Sequence, residues 1–145
     1  MTVRALDHVN IRARGDVLAT LQAFYCDVLG LVAGPRPPFP RPGYWLYAGS
    51  QAVVHLYESE PGETRIPHDD HTLDHFAFAC ADLAAVEATL RQRGVEFAKA
   101  AVPGSGVVQL FVRDPAGHRV ELNFATADPA RRNVDREHDL RSTPT

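Results

Sequence analysis

The chain has 145 residues, of which 45% are hydrophobic and 23% are charged, as is typical of one globular domain. A formal net charge of −3 argues against binding to nucleic acid or to an anionic membrane surface. Two cysteines are too few for a disulfide framework, and no apolar run is long enough for a membrane span or a signal peptide. We therefore expect a cytoplasmic protein without a membrane or nucleic-acid partner.

The first predicted elements are a strand and a helix. The segment LDHVNI (6–11) is typical of a buried strand, although it contains the polar pair Asp7 and His8. The apolar residues that follow recur at helical spacing. Asp16 occupies the place of a helix N-cap and Gly30 the place of a C-terminal glycine, so we predict a helix between them.

Three further strands complete the first half. A short strand is predicted near 31–33, before the proline-rich loop PRPPFPRPG (35–43). Next come YWLYAG (44–49) and QAVVHLYES (51–59), which predict a hairpin around a Gly-Ser turn. The loop has two open interpretations, a semi-rigid lip over a pocket or a plain connector.

The second half repeats this order. The linker 61–72 is polar and contains prolines, so its HDDH sequence (68–71) is interpreted as a solvated loop and not as a metal site. A strand is then predicted at LDHFAF (73–78). A helix follows, with Asp82 at its N-cap and Gly94 at its end.

The last predicted strands lie near 95–100, at GVVQLFVRD (106–114) and at HRVELNFAT (118–126), the last two around the turn PAG. A repeated order of this kind predicts a duplicated fold. We predict the α+β class, with a single domain of two βαβββ modules over 1–145. Its parts are module one (3–60), the linker, module two (73–125) and a polar tail (126–145).

Polar side chains recur at matching places in the strands of both halves. His8 and His75 lie in the first strands, and His55 and Glu121 lie in the last. If the two sheets curve toward each other, these side chains converge in one pocket. Three imidazoles and a carboxylate suit one divalent ion of Fe, Mn, Co, Ni or Zn, so we predict a metal site. The alternative is that these histidines are ordinary core residues.

Five segments resemble the vicinal oxygen chelate superfamily, which includes glyoxalase I, extradiol ring-cleaving dioxygenases, methylmalonyl-CoA epimerase, and the fosfomycin and bleomycin resistance proteins. They span 5–125 and are LDHVNI, AFYCDVLGL, AVVHLYES, LDHFAFACADLAAVEATLRQRGVEF and LFVRDPAGHRVELNF. The resemblance implies paired modules in a cup-shaped, open-barrel-like mixed sheet with the helices outside, commonly as a homodimer. It also places a metal on His8, His55, His75 and Glu121, where a small-molecule substrate is chelated through vicinal oxygens.

The resemblance leaves the reaction open among three classes. A glyoxalase-like lyase or isomerase is favoured, with Glu121 or His55 moving a proton between adjacent carbons. Arg12 matches an arginine that grips the carboxylate of glutathione in glyoxalase I. An extradiol-type dioxygenase would share Asp114 and Glu121, but Phe111 stands at the place of its tyrosine. A non-catalytic binder of the antibiotic-resistance type normally lacks the metal ligands, which are present here.

Strand parity identifies the residues expected to line the pocket. Residues two apart on a strand share a face, so the neighbours of the proposed ligands face the same space. The predicted substrate-binding residues are Asn10, Arg12, Tyr57, Gln109, Phe111 and Asn123, with Trp45 as a further wall.

Overall fold

The structure is a computed structural model, and it describes residues 5–63 and 73–125. These residues form two compact units, of which the first comprises 5–63, 73–74 and 113–119 and the second comprises 75–112 and 120–125. The HDDH sequence and the polar tail lie outside the described residues. Within the described ranges, no helix is both long and apolar enough to cross a membrane.

The first unit contains a four-stranded mixed sheet with a helix packed on it. In the sheet the strand order is β1-β4-β3-β2, with β1 parallel to β4 and the other neighbours antiparallel. The elements are β1 (Val9–Ala13), α1 (Gly15–Ala23), β2 (Val32–Gly34), β3 (Gly43–Ala48) and β4 (Gln51–Glu58).

The second sheet has the same topology. Its strand order is β5-β8-β7-β6, with β5 parallel to β8 and β6 antiparallel to β7. The α+β fold of two βαβββ modules is therefore confirmed. Its elements are β5 (Phe76–Cys80), α2 (Leu83–Gln92), β6 (Ala98–Ala101), β7 (Val107–Arg113) and β8 (Arg119–Ala125).

Apolar residues at alternate positions of β4 and β8 are buried, and so are His55 and Glu121 between them. Leu18 and Leu21 of α1 are buried, as are Val54 and Leu56 of β4. Burying a side chain of this size stabilises a fold by about 1.5–3 kcal/mol. In β8 the apolar residues at alternate positions are buried in the same way. The central strand of each sheet is thereby fixed by its apolar side chains, and its intervening polar residues are left to form a site.

The histidines that begin the two repeats lie just outside their strands. The sequence predicted them within strands, but β1 begins at Val9 and β5 at Phe76, so His8 and His75 each precede a strand by one residue. The reason is the pairing, since the parallel ladders begin with Val9 opposite Val54 and Phe76 opposite Val120. Both histidines therefore lie at the end of a ladder.

The first helix differs from its prediction at both ends. Arg14, not Asp16, occupies the N-cap, and Asp16 lies inside the first turn. After Ala23 the chain widens into a π-helical turn, Phe24–Val28, before Gly30 turns it away with φ of 78°. In α2 the predicted cap is confirmed, since Asp82 Oδ1 accepts a hydrogen bond from the Ala85 amide at 3.1 Å.

Candidate functional site

The first unit contains an aromatic cleft of about 390 Å³ on one face of its sheet. Strands β1, β3 and β4 and the proline-rich loop supply its walls. The cleft includes Asn10, Arg12 and Tyr57, three of the residues predicted to bind substrate. The aromatic cleft is lined by Asn10, Arg12, Phe39, Trp45, His55, Leu56 and Tyr57.

His55 and Trp45, which line this cleft, belong to a column of three stacked rings that His8 completes. The His55 ring lies 3.8 Å from the His8 ring and 4.1 Å from the Trp45 ring, measured between centroids, with interplanar angles of 18° and 7°. The strand register explains the contact between Trp45 and His55, because these two residues lie directly opposite each other in the β3–β4 ladder. Burial, and then the charge of His8, lower the pKa of His55. The His55 ring is therefore neutral near pH 7.

His8 is oriented by the residue before it. Its Nδ1 lies 2.6 Å from Asp7 Oδ1, and the His8 side chain is 37% exposed. A carboxylate on one ring nitrogen fixes the tautomer, so that the opposite nitrogen, Nε2, presents its lone pair. This carboxylate–histidine pair is the arrangement that commonly supports a metal ligand.

Aromatic and cationic side chains form the opposite wall. Tyr57 lies 6.3 Å from the Phe39 ring in an edge-on arrangement. The Arg12 guanidinium lies 5.4 Å from the centre of the Tyr57 ring, and that of Arg36 lies 5.6 Å from it. Arg12 also forms a long ion pair of 3.6 Å with Glu63.

The second unit holds a buried carboxylate in a fixed orientation. Glu121 Oε1 accepts hydrogen bonds from Gln109 Nε2 at 2.8 Å and from Asn123 Nδ2 at 2.6 Å. Its other oxygen, Oε2, lies 3.0 Å from Nε2 of His75. Glu121 is only 6% exposed, whereas the His75 side chain is 35% exposed. The two amides thus hold one oxygen and direct the other toward His75.

Gln109, Phe111 and Asn123 were all predicted to bind substrate. Two of them, Gln109 and Asn123, contact Glu121, and they also contact each other at 3.2 Å. Phe111 lies edge-on to the His75 ring with centroids 6.2 Å apart. In the second unit these residues therefore surround the candidate ligands, and binding of substrate by them stays a prediction.

The donor pairs of the two units fit a metal ion differently. Two ligands at right angles, each about 2.1 Å from one ion, lie about 3 Å apart, which matches the spacing of His75 and Glu121. An imidazole binds a metal in the plane of its ring. The His8 and His55 planes are stacked nearly parallel, so both rings bind one ion only after one of them turns.

Taken alone, neither unit collects a full ligand set. Over residues 5–63 and 73–125, the structure groups no three or more His, Cys, Asp or Glu side chains that could hold an ion within either unit. His8 with His55, and His75 with Glu121, remain pairs. The metal assignment of all four residues therefore stays a prediction.

The first unit contains a buried polar cluster that was not predicted from the sequence. The Tyr25 hydroxyl donates to Asp114 Oδ2 at 2.7 Å, and the backbone amides of Ala116 and His118 donate to Oδ1 at 2.9 Å each. The His118 ring also contacts Asp114, with Nδ1 2.9 Å from Oδ2. Asp114 thus joins the π-helical turn to the turn between β7 and β8. An aspartate at the start of that turn was the available signal.

Tyr25 gives a prediction about alkaline stability. Its burial, followed by the charge of Asp114, raises its pKa above the ordinary value of 10.0. The unfolded tyrosine therefore loses its proton first, and the stability that Tyr25 contributes is lost as pH rises above about 10. Urea unfolding measured between about pH 8 and pH 11 should show the free energy of unfolding of the wild type falling, above pH 10, by up to about 1.4 kcal/mol per pH unit. The Tyr25→Phe variant should lack this fall. Tyr47→Phe is the control, because it should keep the alkaline loss.

The fold consists of paired βαβββ modules, with His8 and His75 just before the first strand of each module and His55 and Glu121 in the last. The family model for the Glyoxalase/Bleomycin resistance protein/Dioxygenase superfamily matches residues 5–122. The chain belongs to this superfamily, as the quoted motifs predicted. A relative from Arabidopsis thaliana, Glyoxylase I 4, is 31% identical over 126 residues, which cover 81% of this chain and 69% of the relative.

Solved structures of similar proteins share the fold. A Bacillus anthracis protein described as a member of the glyoxalase family has a TM-score of 0.71 at 25% identity, covering 87% of this chain and 98% of that one. The lactoylglutathione lyase of Agrobacterium tumefaciens has a TM-score of 0.61 at 22% identity, covering 86% of this chain and 96% of that one. The second likeness establishes the fold alone.

Proposed function

We propose that this protein is a metal-dependent lyase or isomerase of the glyoxalase type, acting in the cytoplasm as a homodimer on a small substrate with vicinal oxygens. The observation that carries the proposal is the orientation of Glu121. A buried carboxylate is costly unless it is paired or bound to a cation, and two amides already occupy its Oε1. The remaining oxygen pairs with the His75 imidazole at 3.0 Å, a spacing that also suits two ligands of one ion.

His8, His75 and Glu121 are the ligands we propose, with His55 as a fourth if its ring leaves the stack. Imidazole and carboxylate donors suit Fe, Mn, Co, Ni or Zn. When bound, such an ion acts as a Lewis acid that polarises the chelated oxygens. Asp7 keeps the His8 tautomer fixed, and Gln109 and Asn123 keep Glu121 from rotating.

Proton transfer is the role we assign to His55 and Glu121. A neutral imidazole accepts a proton, and the lowered pKa of His55 keeps it neutral near pH 7. Stacking between His8 and Trp45 holds the plane of the His55 ring, and His55 lines the aromatic cleft. Glu121 is the alternative acceptor, since either residue can move a proton between adjacent carbons.

The test measures exchange of carbon-bound protons for deuterium, so the product does not have to be known beforehand. Protein loaded separately with each of the five metals is incubated in D₂O with α-hydroxyketones, 2-oxoaldehydes and their thiol adducts, and exchange at carbon is followed by NMR. We expect exchange with at least one metal and a loss of about 100-fold or more in His55→Ala. Metal content measured on the same samples should be similar in wild type and His55→Ala.

Either departure is informative. Loss of metal in His55→Ala would indicate that His55 is a metal ligand, as predicted from the sequence. Proton transfer could then no longer be its only role. A fully loaded protein that exchanges no carbon-bound proton with any metal or substrate class would contradict the lyase or isomerase proposal.

A ring-cleaving dioxygenase is the second candidate. The observation that favours it is the aromatic cleft, since Phe39, Trp45 and Tyr57 beside His55 suit a flat ring. Oxygen uptake that requires Fe(II) and a catechol would support this candidate over the first. Neither proton exchange nor oxygen uptake, with retained binding of a small molecule, would instead support a non-catalytic binding protein.

A further inference from the structure

The aromatic cleft is shaped for a flat, unsaturated group. Phe39, Trp45 and Tyr57 present three rings to one space, and Leu56 adds an aliphatic contact. Phe39 is 46% exposed, so its ring remains accessible to a ligand in the cleft. A volume of about 390 Å³ lies at the small end of ligand pockets, which suits one ring with a short side chain.

The loop that carries Phe39 is held in place by its own contacts. The Tyr47 hydroxyl donates to the Pro35 carbonyl at 2.6 Å, and Arg41 Nε donates to the Glu58 carbonyl at 3.2 Å. The Arg36 guanidinium lies 5.1 Å from the Phe39 ring centre. Phe39 is therefore positioned before a ligand arrives, which reduces the entropy lost on binding.

The charge around the cleft is positive. Among residues 5–63 and 73–125, no hydrogen-bond partner reaches the buried Nε atoms of Arg12 and Arg36. Arg36 donates to the Arg41 carbonyl at 2.9 Å, and within the described ranges it has no carboxylate partner. The positive charge of Arg12 is partly neutralised by Glu63, whose Oε1 lies 3.6 Å from Arg12 Nη1. An anionic ligand is the partner that such guanidinium groups favour.

We propose that the aromatic cleft selects a small planar aromatic acid, and that Phe39 and Trp45 are the residues that distinguish a flat ring from an aliphatic one. The resemblance already relates Arg12 to a carboxylate, so the new element is recognition of the ring by the proline-rich loop. This inference rests on the proposed function in one respect, namely that the substrate binds in this cleft. Ring pairs in offset or edge-on arrangements supply the selectivity.

Trp45 makes the test direct, because it is the single tryptophan of the chain. Metal-free protein is titrated with phenylacetate, with cyclohexanecarboxylate, which keeps the charge but lacks the aromatic ring, and with benzyl alcohol, which keeps the ring but lacks the charge. Tryptophan fluorescence is measured at constant pH and corrected with free tryptophan. We expect saturable quenching by phenylacetate and about tenfold weaker binding of the other two compounds.

Phe39→Leu keeps the apolar bulk and removes the ring. It should weaken phenylacetate binding about tenfold and leave cyclohexanecarboxylate binding unchanged. Arg36→Gln should weaken binding of both acids, and that of phenylacetate more, because Arg36 also contacts the Phe39 ring. The matched control is Phe97→Leu, because Phe97 also lies under a guanidinium, that of Arg91 at 5.4 Å, but does not line the cleft. Circular dichroism of each variant verifies that it is folded.

Equal affinity for phenylacetate and cyclohexanecarboxylate would overturn the proposal. So would an unchanged phenylacetate affinity in folded Phe39→Leu, or saturable quenching by glutathione alone. No metal and no turnover enter these measurements. Selective aromatic binding without proton exchange would therefore reject the lyase or isomerase function and keep the cleft assignment. Proton exchange without selective aromatic binding would reject the cleft assignment and keep the lyase or isomerase function.

Discussion

His75→Ala is expected to weaken metal binding by about 100-fold or more, because it removes a proposed ligand whose partner carboxylate is already oriented by two amides. Glu121 would then remain buried with one oxygen unsupported. Each protein is dialysed against the same divalent metal and then against metal-free buffer. Elemental analysis gives the metal retained per chain, and calorimetric titration gives the affinity.

Two histidine variants serve as controls for this measurement. His118→Ala removes an imidazole of the Tyr25–Asp114–His118 cluster, and His71→Ala removes one from the polar linker. Both should retain metal at the wild-type level. The metal affinity of Gln109→Leu should lie between that of these controls and that of His75→Ala, because loss of an orienting partner lowers the affinity about 10-fold to 100-fold. Equal metal content in His75→Ala, His118→Ala and His71→Ala would reject the ligand assignment.

Asp114→Ala is expected to be the most destabilising polar substitution in the first unit, at about 4 kcal/mol. The Asp114 side chain is fully buried and accepts hydrogen bonds from the Tyr25 hydroxyl and from the amides of Ala116 and His118. Alanine leaves these donors without an acceptor and opens a cavity beneath the turn. The free energy of unfolding is measured by urea denaturation at neutral pH.

Asp16→Ala is the matched control for Asp114→Ala. Asp16 is exposed in the first turn of α1 and accepts no cap hydrogen bond, so its loss should cost about 0.5 kcal/mol. Tyr25→Phe should cost about 1–1.5 kcal/mol, since it removes one hydrogen bond of the cluster. If Asp114→Ala and Asp16→Ala have the same urea midpoint, the structural role given to Asp114 is wrong.

The repeated frame of the fold was predictable because it depends on short-range patterns. Alternating apolar residues, a Gly-Ser turn and a Pro-Ala-Gly turn gave the strands of each half, and Gly30 and Gly94 gave the ends of the helical segments. The predicted equivalence of the halves extends to the register, since Asn10 lies opposite His55 and Ala77 lies opposite Glu121.

The details that failed depend on contacts between residues far apart in sequence. The π-helical turn at Phe24–Val28 accompanies the contact of Tyr25 with Asp114, which no local pattern encodes. Asp16 resembles a cap, yet the helix begins one residue before it, at Gly15. The stacking of His55 between two rings requires knowledge of which residue of β3 lies opposite it, and composition does not give that register.

The twofold repeat of the frame has a consequence for how such a protein changes over generations. One copy has come to carry rings and guanidinium groups around its central strand, and the other carries amides around an acid. A replacement in the proline-rich loop of the first copy therefore leaves unchanged the amides that hold Glu121 in the second. Duplication of the frame has allowed the two halves to accumulate different side chains on one inherited scaffold.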